Sequence, residues 1–237
     1  MISILIPVYN TPAIFLKECI DSCLDQTIDD YEIVIVDNGS DDPDTISVLK
    51  NYSLNKKIFL YNCPRQQNKK NLSIALNYGL QKCKYDLVAR MDSDDLMLPE
   101  RLAKQKLFMD RNPDVDIVGG QIHIFPEGTT TNHPFIINKD YALQTYWLLN
   151  HPTVMFRKNK ITKIGCYKEQ PEMFAEDYEL WTKALRNNFK IRNIPDVVVL
   201  YRLHNNNLTR KTEKNSSYFE EMEKERQKIR DVYNDIS

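Results

Sequence analysis

From Ile2 to Val8 (ISILIPV) apolar side chains run almost without interruption, the pattern of a strand buried on both faces. Beyond Pro12 the spacing changes: Leu16, Cys19, Ile20, Cys23 and Leu24 recur every three or four residues and share one face of a helix. The alternation then repeats. Tyr31–Val36 (YEIVIV) predicts a second strand and Thr45–Tyr52 a second helix, and Lys57–Tyr61 a third strand with Asn71–Lys82 as its helix. Asp86–Met91 predicts a fourth strand, followed by a helix over Pro99–Arg111 with proline in its first turn, where helices accept it. Four such units in series imply an α/β fold, a mainly parallel sheet flanked by helices with right-handed crossovers.

The second half is less regular. Val115–Val118 predicts a fifth strand ending at Gly119-Gly120, followed by a short strand at Ile122–Phe125, a helix at Lys139–Leu149 and a strand at Thr153–Phe156. A loop over Gly165–Glu176 leads to a helix at Tyr178–Asn187, with Trp181 on its apolar face, and to a strand at Val197–Tyr201. The segment Glu213–Ile236 is rich in mixed charge, with Tyr218, Phe219, Met222, Ile229, Val232 and Tyr233 at helical spacing. It predicts a helix packed on the domain or, in a homodimer, on a second subunit.

At 237 residues and 42% hydrophobic content the chain can bury a substantial core. Its 32 basic and 33 acidic residues nearly cancel, so no global field draws it to nucleic acid or to an anionic membrane. Five cysteines, an odd number without a C-x-x-C pair, predict reduced thiols. No apolar run reaches transmembrane length, and a strand opening at Ile2 leaves no room for a signal peptide. A cytoplasmic protein follows, with peripheral attachment to a membrane left open. Among only 6 glycines there is no G-x-G-x-x-G and no P-loop, so a bound nucleotide is held another way.

In an open parallel sheet, ligands gather beyond the carboxyl ends of the strands. Three of those ends are polar here: Pro7-Val8-Tyr9-Asn10, Asp37-Asn38-Gly39-Ser40-Asp41-Asp42, and Asp92-Ser93-Asp94-Asp95. Turn and cap chemistry accounts for any one of them alone. Alternating Asp92 and Asp94 in an extended segment puts two carboxylates on one side, which suits a hard divalent cation. The EF-hand pattern fails, because Met97 and Ala103 stand where that loop needs Gly and Glu. Mg2+ or Mn2+ with open positions for phosphate oxygens fits better. Asp37 can accept a hydrogen bond from the imide N–H of uracil, with the tyrosine-bearing first loop against the ring.

The order Pro7-Val8-Tyr9-Asn10, Val36-Asp37-Asn38-Gly39-Ser40, Ala75-Leu76-Asn77-Tyr78-Gly79, Ala89-Arg90-Met91-Asp92-Ser93-Asp94-Asp95 and Leu98-Pro99-Glu100-Arg101 resembles the inverting nucleotide-sugar glycosyltransferases of family 2, with their GT-A, Rossmann-like fold. The likeness is close over about the first 120 residues and continues in shorter motifs to about residue 210. It implies one domain over 1–210, with a nucleotide-sugar half (1–120) and an acceptor and catalytic-base half (121–210), then a helical extension over 211–237.

The resemblance further implies that Pro7, Tyr9, Asn10, Asp37 and Asp92 hold the nucleotide, Asp92 near its ribose, and that Asp94 is the main metal ligand. Phe174-Ala175-Glu176-Asp177-Tyr178-Glu179-Leu180-Trp181 matches the family's catalytic-base segment, with Asp177 as the base and Glu176 beside it. Tyr201-Arg202-Leu203-His204 matches its late basic element near the metal and pyrophosphate, giving His204 to the metal and making Arg202 a further candidate, while His151 in Asn150-His151-Pro152 falls in the acceptor wall. Asp95 and Arg90 are further candidates. Lys69-Lys70-Asn71 replaces the family's Asn-x-Gly, and Leu76 stands where many members carry arginine.

The implied activity is of the hexosyltransferase class: metal-assisted transfer of a sugar, with inversion, from a nucleotide-sugar, foremost a UDP-sugar, to a hydroxyl of a glycan, lipid-linked or protein acceptor, as in polysaccharide biosynthesis. Two other readings compete. One is a sugar nucleotidyltransferase, which would want a Gly-rich loop after the first strand; the other is a non-catalytic nucleotide- or glycan-binding scaffold.

Overall fold

The computed structural model describes residues 1–63, 72–145, 147–169, 175–204 and 216–234. The alternating pattern forms β1 (Ile2–Val8), α1 (Ala13–Leu24), β2 (Tyr31–Asp37), α2 (Pro43–Tyr52), β3 (Ile58–Asn62), α3 (Leu72–Lys82) and β4 (Leu87–Arg90). Next come β5 (Leu96–Met97), α4 (Arg101–Arg111), β6 (Ile117–Phe125), β7 (Thr129–Thr130), β8 (Ile136–Ile137) and α5 (Lys139–Gln144). A 3-10 turn at His151–Thr153 leads into β9 (Met155–Arg157), α6 (Lys158–Lys163), α7 (Glu176–Arg186), β10 (Ile191–Arg202) and a C-terminal helix, α8 (Ser216–Asn234).

One sheet runs in the order β3-β2-β1-β4-β9-β6-β10-β5, with β7 beside β6 and β8 beside β10. All the long pairings are parallel: β1 with β2 and β4, β2 with β3, and β6 with β10. The antiparallel contacts are short ones around β9, β5, β7 and β8.

Strand alternation divides the core in two. Ile2, Ile4, Ile6 and Val8 face one side with Leu16, Cys19, Ile20 and Cys23 of α1 and Leu102 and Met109 of α4. Leu5, Val34 and Val36 face the other with Ala75, Leu76 and Leu80 of α3 and Tyr178, Leu180 and Trp181 of α7. Each such fully buried aliphatic side chain stabilises the fold by about 1.5 to 3 kcal/mol. Leu76 is thus a core residue, and the cysteines are free thiols, four of them buried.

Several expectations are corrected. Gly119 and Gly120 do not end a strand but lie inside β6, because that strand has close neighbours: a Cβ on Gly119 would sit 2.6 Å from Asn193 Oδ1, and one on Gly120 2.5 Å from Val198 Cγ2. β10 begins six residues before the predicted strand and absorbs Pro195 at a register shift between Asn193 and Val197. α4 starts after Pro99, since Leu98 N still donates to Val198 O (3.0 Å) and holds the chain extended. α5 stops at Gln144 where Thr145 turns extended, and the polar hexamer of α6 gave no apolar signal.

The C-terminal helix α8 packs on α7, with Ile229 against the second core cluster. The side chains of Tyr218, Phe219, Met222 and Tyr233 lie outside the described residues, as do Lys69, Lys70, Asn71 and Phe174. Among the described residues no helix is long and apolar enough to cross a membrane.

Candidate active site

β1 and β4 part before β1 ends. Their register stops at Leu5 opposite Arg90, and the last bond is Met91 N to Leu5 O (3.0 Å), whereas β1 stays beside β2 to Val8 opposite Asp37. The opening lies at the point where the strand order reverses, the place such sheets offer to ligands. Pro7 occupies the freed stretch, where a missing N–H takes nothing from the β4 ladder.

The β1 and β2 loops are stitched together by Asn10, which sits in the left-handed region at φ 48°. Its Nδ2 donates to Asp41 Oδ1 (2.6 Å), its Oδ1 accepts from Asp41 N and Asp42 N (2.9 and 3.1 Å), and its N donates to Ser40 Oγ (3.0 Å). Those atoms are therefore committed to the scaffold. Asp37 accepts from Ser40 N through Oδ1 (3.0 Å), while Tyr9 is 43% exposed at the rim. Thr11 Oγ1 meets Ser93 Oγ at 2.6 Å and ties this rim to the acidic loop.

Within that loop the three aspartates separate. Both oxygens of Asp92 pair with the guanidinium of Arg90, which is 2% exposed: Nη1–Oδ2 and Nη2–Oδ1 are each 2.5 Å. Asp94 Oδ2 lies 2.9 Å from His204 Nε2, and burial, reinforced by the Asp92 charge, raises its carboxyl above the ordinary range. Asp95 is fully buried. Its Oδ1 accepts from Arg202 N (2.8 Å), its Oδ2 has no hydrogen-bond partner, and burial followed by the charges of Asp92 and Asp94 pushes it well up. Asp92 and Asp94 thus turn to different partners.

Arg202 anchors the loop from β10. Its Nε donates to Asp94 O (2.9 Å), its Nη2 meets Glu18 Oε2 of α1 (2.5 Å), and its guanidinium lies between the rings of Phe15 (4.4 Å) and Phe125 (4.9 Å). Arg101 anchors it from below. Buried completely and pushed down to about 9 by that burial, it donates to Arg90 O (2.8 Å) and Val154 O (3.3 Å).

Glu176 and Asp177 occupy the first turn of α7, where the helix dipole favours negative charge. Asp177 is not the N-cap, since that position is Ala175; its Oδ1 accepts from Tyr178 N (2.7 Å). Burial and then the Asp177 charge push Glu176 up to about 7, while burial raises Asp177 and the Arg226 charge from α8 opposes the rise.

Arg90 links the two acidic groups electrostatically: it pairs with Asp92, and its charge also bears on Asp95, Glu176 and Asp177. His151 stands beside it, its Nε2 2.9 Å from Tyr167 Oη and its ring edge-on to Trp181, and burial with the Arg90 charge keeps the imidazole well below its usual range and neutral. His151 is therefore part of the buried packing behind the site.

The family model for glycosyl transferase family 2 matches residues 3–170. The chain belongs to this family. WbnJ of Escherichia coli, an O-antigen biosynthesis glycosyltransferase, is 36% identical over 218 residues, covering 86% of this chain and 80% of WbnJ. In fold, this family 2 glycosyltransferase matches S. aureus TarS solved with UDP-GlcNAc (TM-score 0.72, 20% identity), covering 87% of this chain and 59% of that one. It also matches the mannosyltransferase PcManGT of Pyrobaculum calidifontis solved with GDP-Man and Mn2+ (TM-score 0.66, 19% identity), over 86% and 57% of the two chains.

The acidic loop fits a divalent cation of limited demands. Among the described residues no three His, Cys, Asp or Glu side chains converge as a complete metal cage. Asp94 and His204, 2.9 Å apart, could supply two protein ligands, and Asp95 of the same loop keeps an Oδ2 without a hydrogen-bond partner. Mg2+ and Mn2+ accept this kind of site, completing their shell with water and phosphate oxygens.

Sequence reading missed Glu18, Phe15 and Phe125 around Arg202, Tyr167 against His151, and Arg226 of α8. These residues carry no motif, and only the tertiary fold brings them in.

Proposed function

We propose that the protein is an inverting transferase that moves a sugar from a UDP-sugar to a hydroxyl of a glycan, lipid-linked or protein acceptor, assisted by Mn2+ or Mg2+. The observation that supports this reading is Arg90, a buried cation that pairs directly with Asp92 and whose charge also reaches Glu176 and Asp177. One acidic group suits the donor's phosphates and their metal; the other suits proton removal. The donors in the TarS and PcManGT structures, and the Mn2+ in the latter, are of the same kind.

In this mechanism Asp177 takes the proton of the acceptor hydroxyl, whose oxygen attacks the anomeric carbon as the bond to the diphosphate breaks, inverting that centre. The Tyr178 N–H and the Arg226 charge favour the ionised form of Asp177 and oppose the burial that raises its carboxyl. Arg90 fixes Asp92 toward the ribose, and Tyr9 with Asp37 frames the base. Asp94 and His204 would hold the cation, which when bound stabilises charge on the leaving diphosphate.

The deciding experiment is hydrolysis and binding of UDP-, GDP- and TDP-sugars with Mn2+, with Mg2+ and with chelator, for the wild type and Asp94→Ala. Metal-dependent release of one nucleoside diphosphate, lost in Asp94→Ala, is the expected result. Asp177→Asn should abolish transfer and leave nucleotide binding intact. Turnover unchanged in Asp177→Asn would remove Asp177 from its role.

A further inference from the structure

A hollow of about 320 Å³ lies outside the acidic centre, lined by Thr131, Asn132, His133, Tyr141, Thr145 and Trp147. Its size is at the lower end of ligand clefts, which run from about 300 to 1,000 Å³. Among the described residues the wall holds no carboxylate, lysine or arginine, and burial lowers the His133 imidazole, which favours its neutral form. A nucleotide, a free phosphate or an anionic lipid headgroup finds no counter-charge there.

Trp147 is half exposed (51%), whereas Trp181, the only other tryptophan, is buried. The indole is steadied by a ring contact: it and the His133 ring meet edge-on at 5.4 Å and 68°, while the backbone N–H of Trp147 donates to Thr145 Oγ1 (3.1 Å) and holds the chain. His133 is steadied in turn by Tyr141 Oη, 3.3 Å from Nδ1. An aromatic face beside hydroxyl and amide groups complements a pyranose, which has an apolar C–H face and a rim of hydroxyls.

The hollow is firmly joined to the acidic pair. Tyr178, next to Asp177, donates through its hydroxyl to Ala142 O of α5 (3.2 Å). On the opposite wall Asn150 Nδ2 donates to Thr131 Oγ1 (3.1 Å), and the next residue, His151, contacts Tyr167 beside Arg90.

We infer that this hollow is a carbohydrate subsite taking one neutral pyranose ring of the acceptor, stacked on the Trp147 indole. The word acceptor rests on the transferase reading above; the sugar rests on the hollow itself.

The test uses the fluorescence of two tryptophans, one exposed and one buried. Acrylamide quenching of the full chain is measured with the methyl glycosides of glucose, galactose, mannose and N-acetylglucosamine, and separately with phosphatidylglycerol vesicles. At least one glycoside should protect the quenchable signal, and Trp147→Phe should remove the protected component. In transfer assays Trp147→Ala should raise the acceptor KM about tenfold, the loss of one good aromatic contact, with kcat and donor hydrolysis kept.

No protection by any glycoside overturns the subsite, as does an unchanged acceptor KM in Trp147→Ala. Protection by vesicles alone also overturns it and makes the face a membrane contact. Glycoside protection in a protein that hydrolyses no donor keeps the subsite and rejects the transferase reading.

Discussion

Replacing Glu176 by Gln should stabilise the protein at neutral and alkaline pH while leaving it unchanged in acid. The folded state holds this carboxyl at about 7 against an ordinary value of 4.5, chiefly by burial and then by the charge on Asp177. A carboxyl raised in the folded state keeps its proton longer than in the unfolded chain, so it costs nothing below about 4.5 and costs most above about 7. At 1.36 kcal/mol per pH unit the full gap corresponds to about 3 kcal/mol, and solvent at the half-buried edge reduces it to about 2 to 3. Urea unfolding of the wild type and Glu176→Gln across pH 4 to 8 reads this directly, provided m is the same for both. The two stability curves should meet near pH 4.5 and separate as pH rises, with the variant above. Parallel curves would refute the reasoning, because they would mean that the folded state does not perturb Glu176.

The remaining predictions concern its neighbours. Arg90→Leu leaves Asp92 without its buried partner and should cost about 3 kcal/mol, seen as a lower urea midpoint; a loss below about 1 kcal/mol would show that the pair is loosely held. Arg226→Ala removes the charge that lowers Asp177, so the acidic limb of the transfer pH–rate profile should move to higher pH, and an unmoved limb would exclude α8 from the site. Gly79→Ala puts a methyl 2.3 Å from Leu5 Cδ1 and 2.9 Å from Val36 Cγ2, and should destabilise by about 1 to 3 kcal/mol in thermal unfolding.

The first half was legible because β1, β2 and most of β4 are buried on both faces and their helices on one, so burial wrote itself directly into hydrophobic period. Motifs at strand ends then marked the site. The second half was harder to read for physical reasons. Gly119 and Gly120 looked like punctuation but serve close packing, and β10 runs on ahead of its apolar stretch, with Pro195 at a shift in register. At the site itself, sequence spacing could bring Asp92 and Asp94 together, yet it could not say that one turns to Arg90 and the other to His204. Asn10 was foreseen as a nucleotide contact, and its side chain proves to be the stitch between two loops. Long-range partners such as Glu18 of Arg202 leave no local trace in a sequence.

That last pairing has a consequence for how the protein is made. Glu18 and Arg202 are 184 residues apart, and Arg202 also supplies the backbone N–H that Asp95 accepts. At about 5 to 20 residues per second, a ribosome needs roughly 10 to 40 s to travel from one to the other. During that interval the nascent chain can already form β1 to β4, but its acidic loop has no anchor from β10. A chain truncated before Arg202 would carry nearly every strand of the sheet and still lack the clasp that sets the loop, so competence to bind donor should arrive abruptly, once β10 has been made.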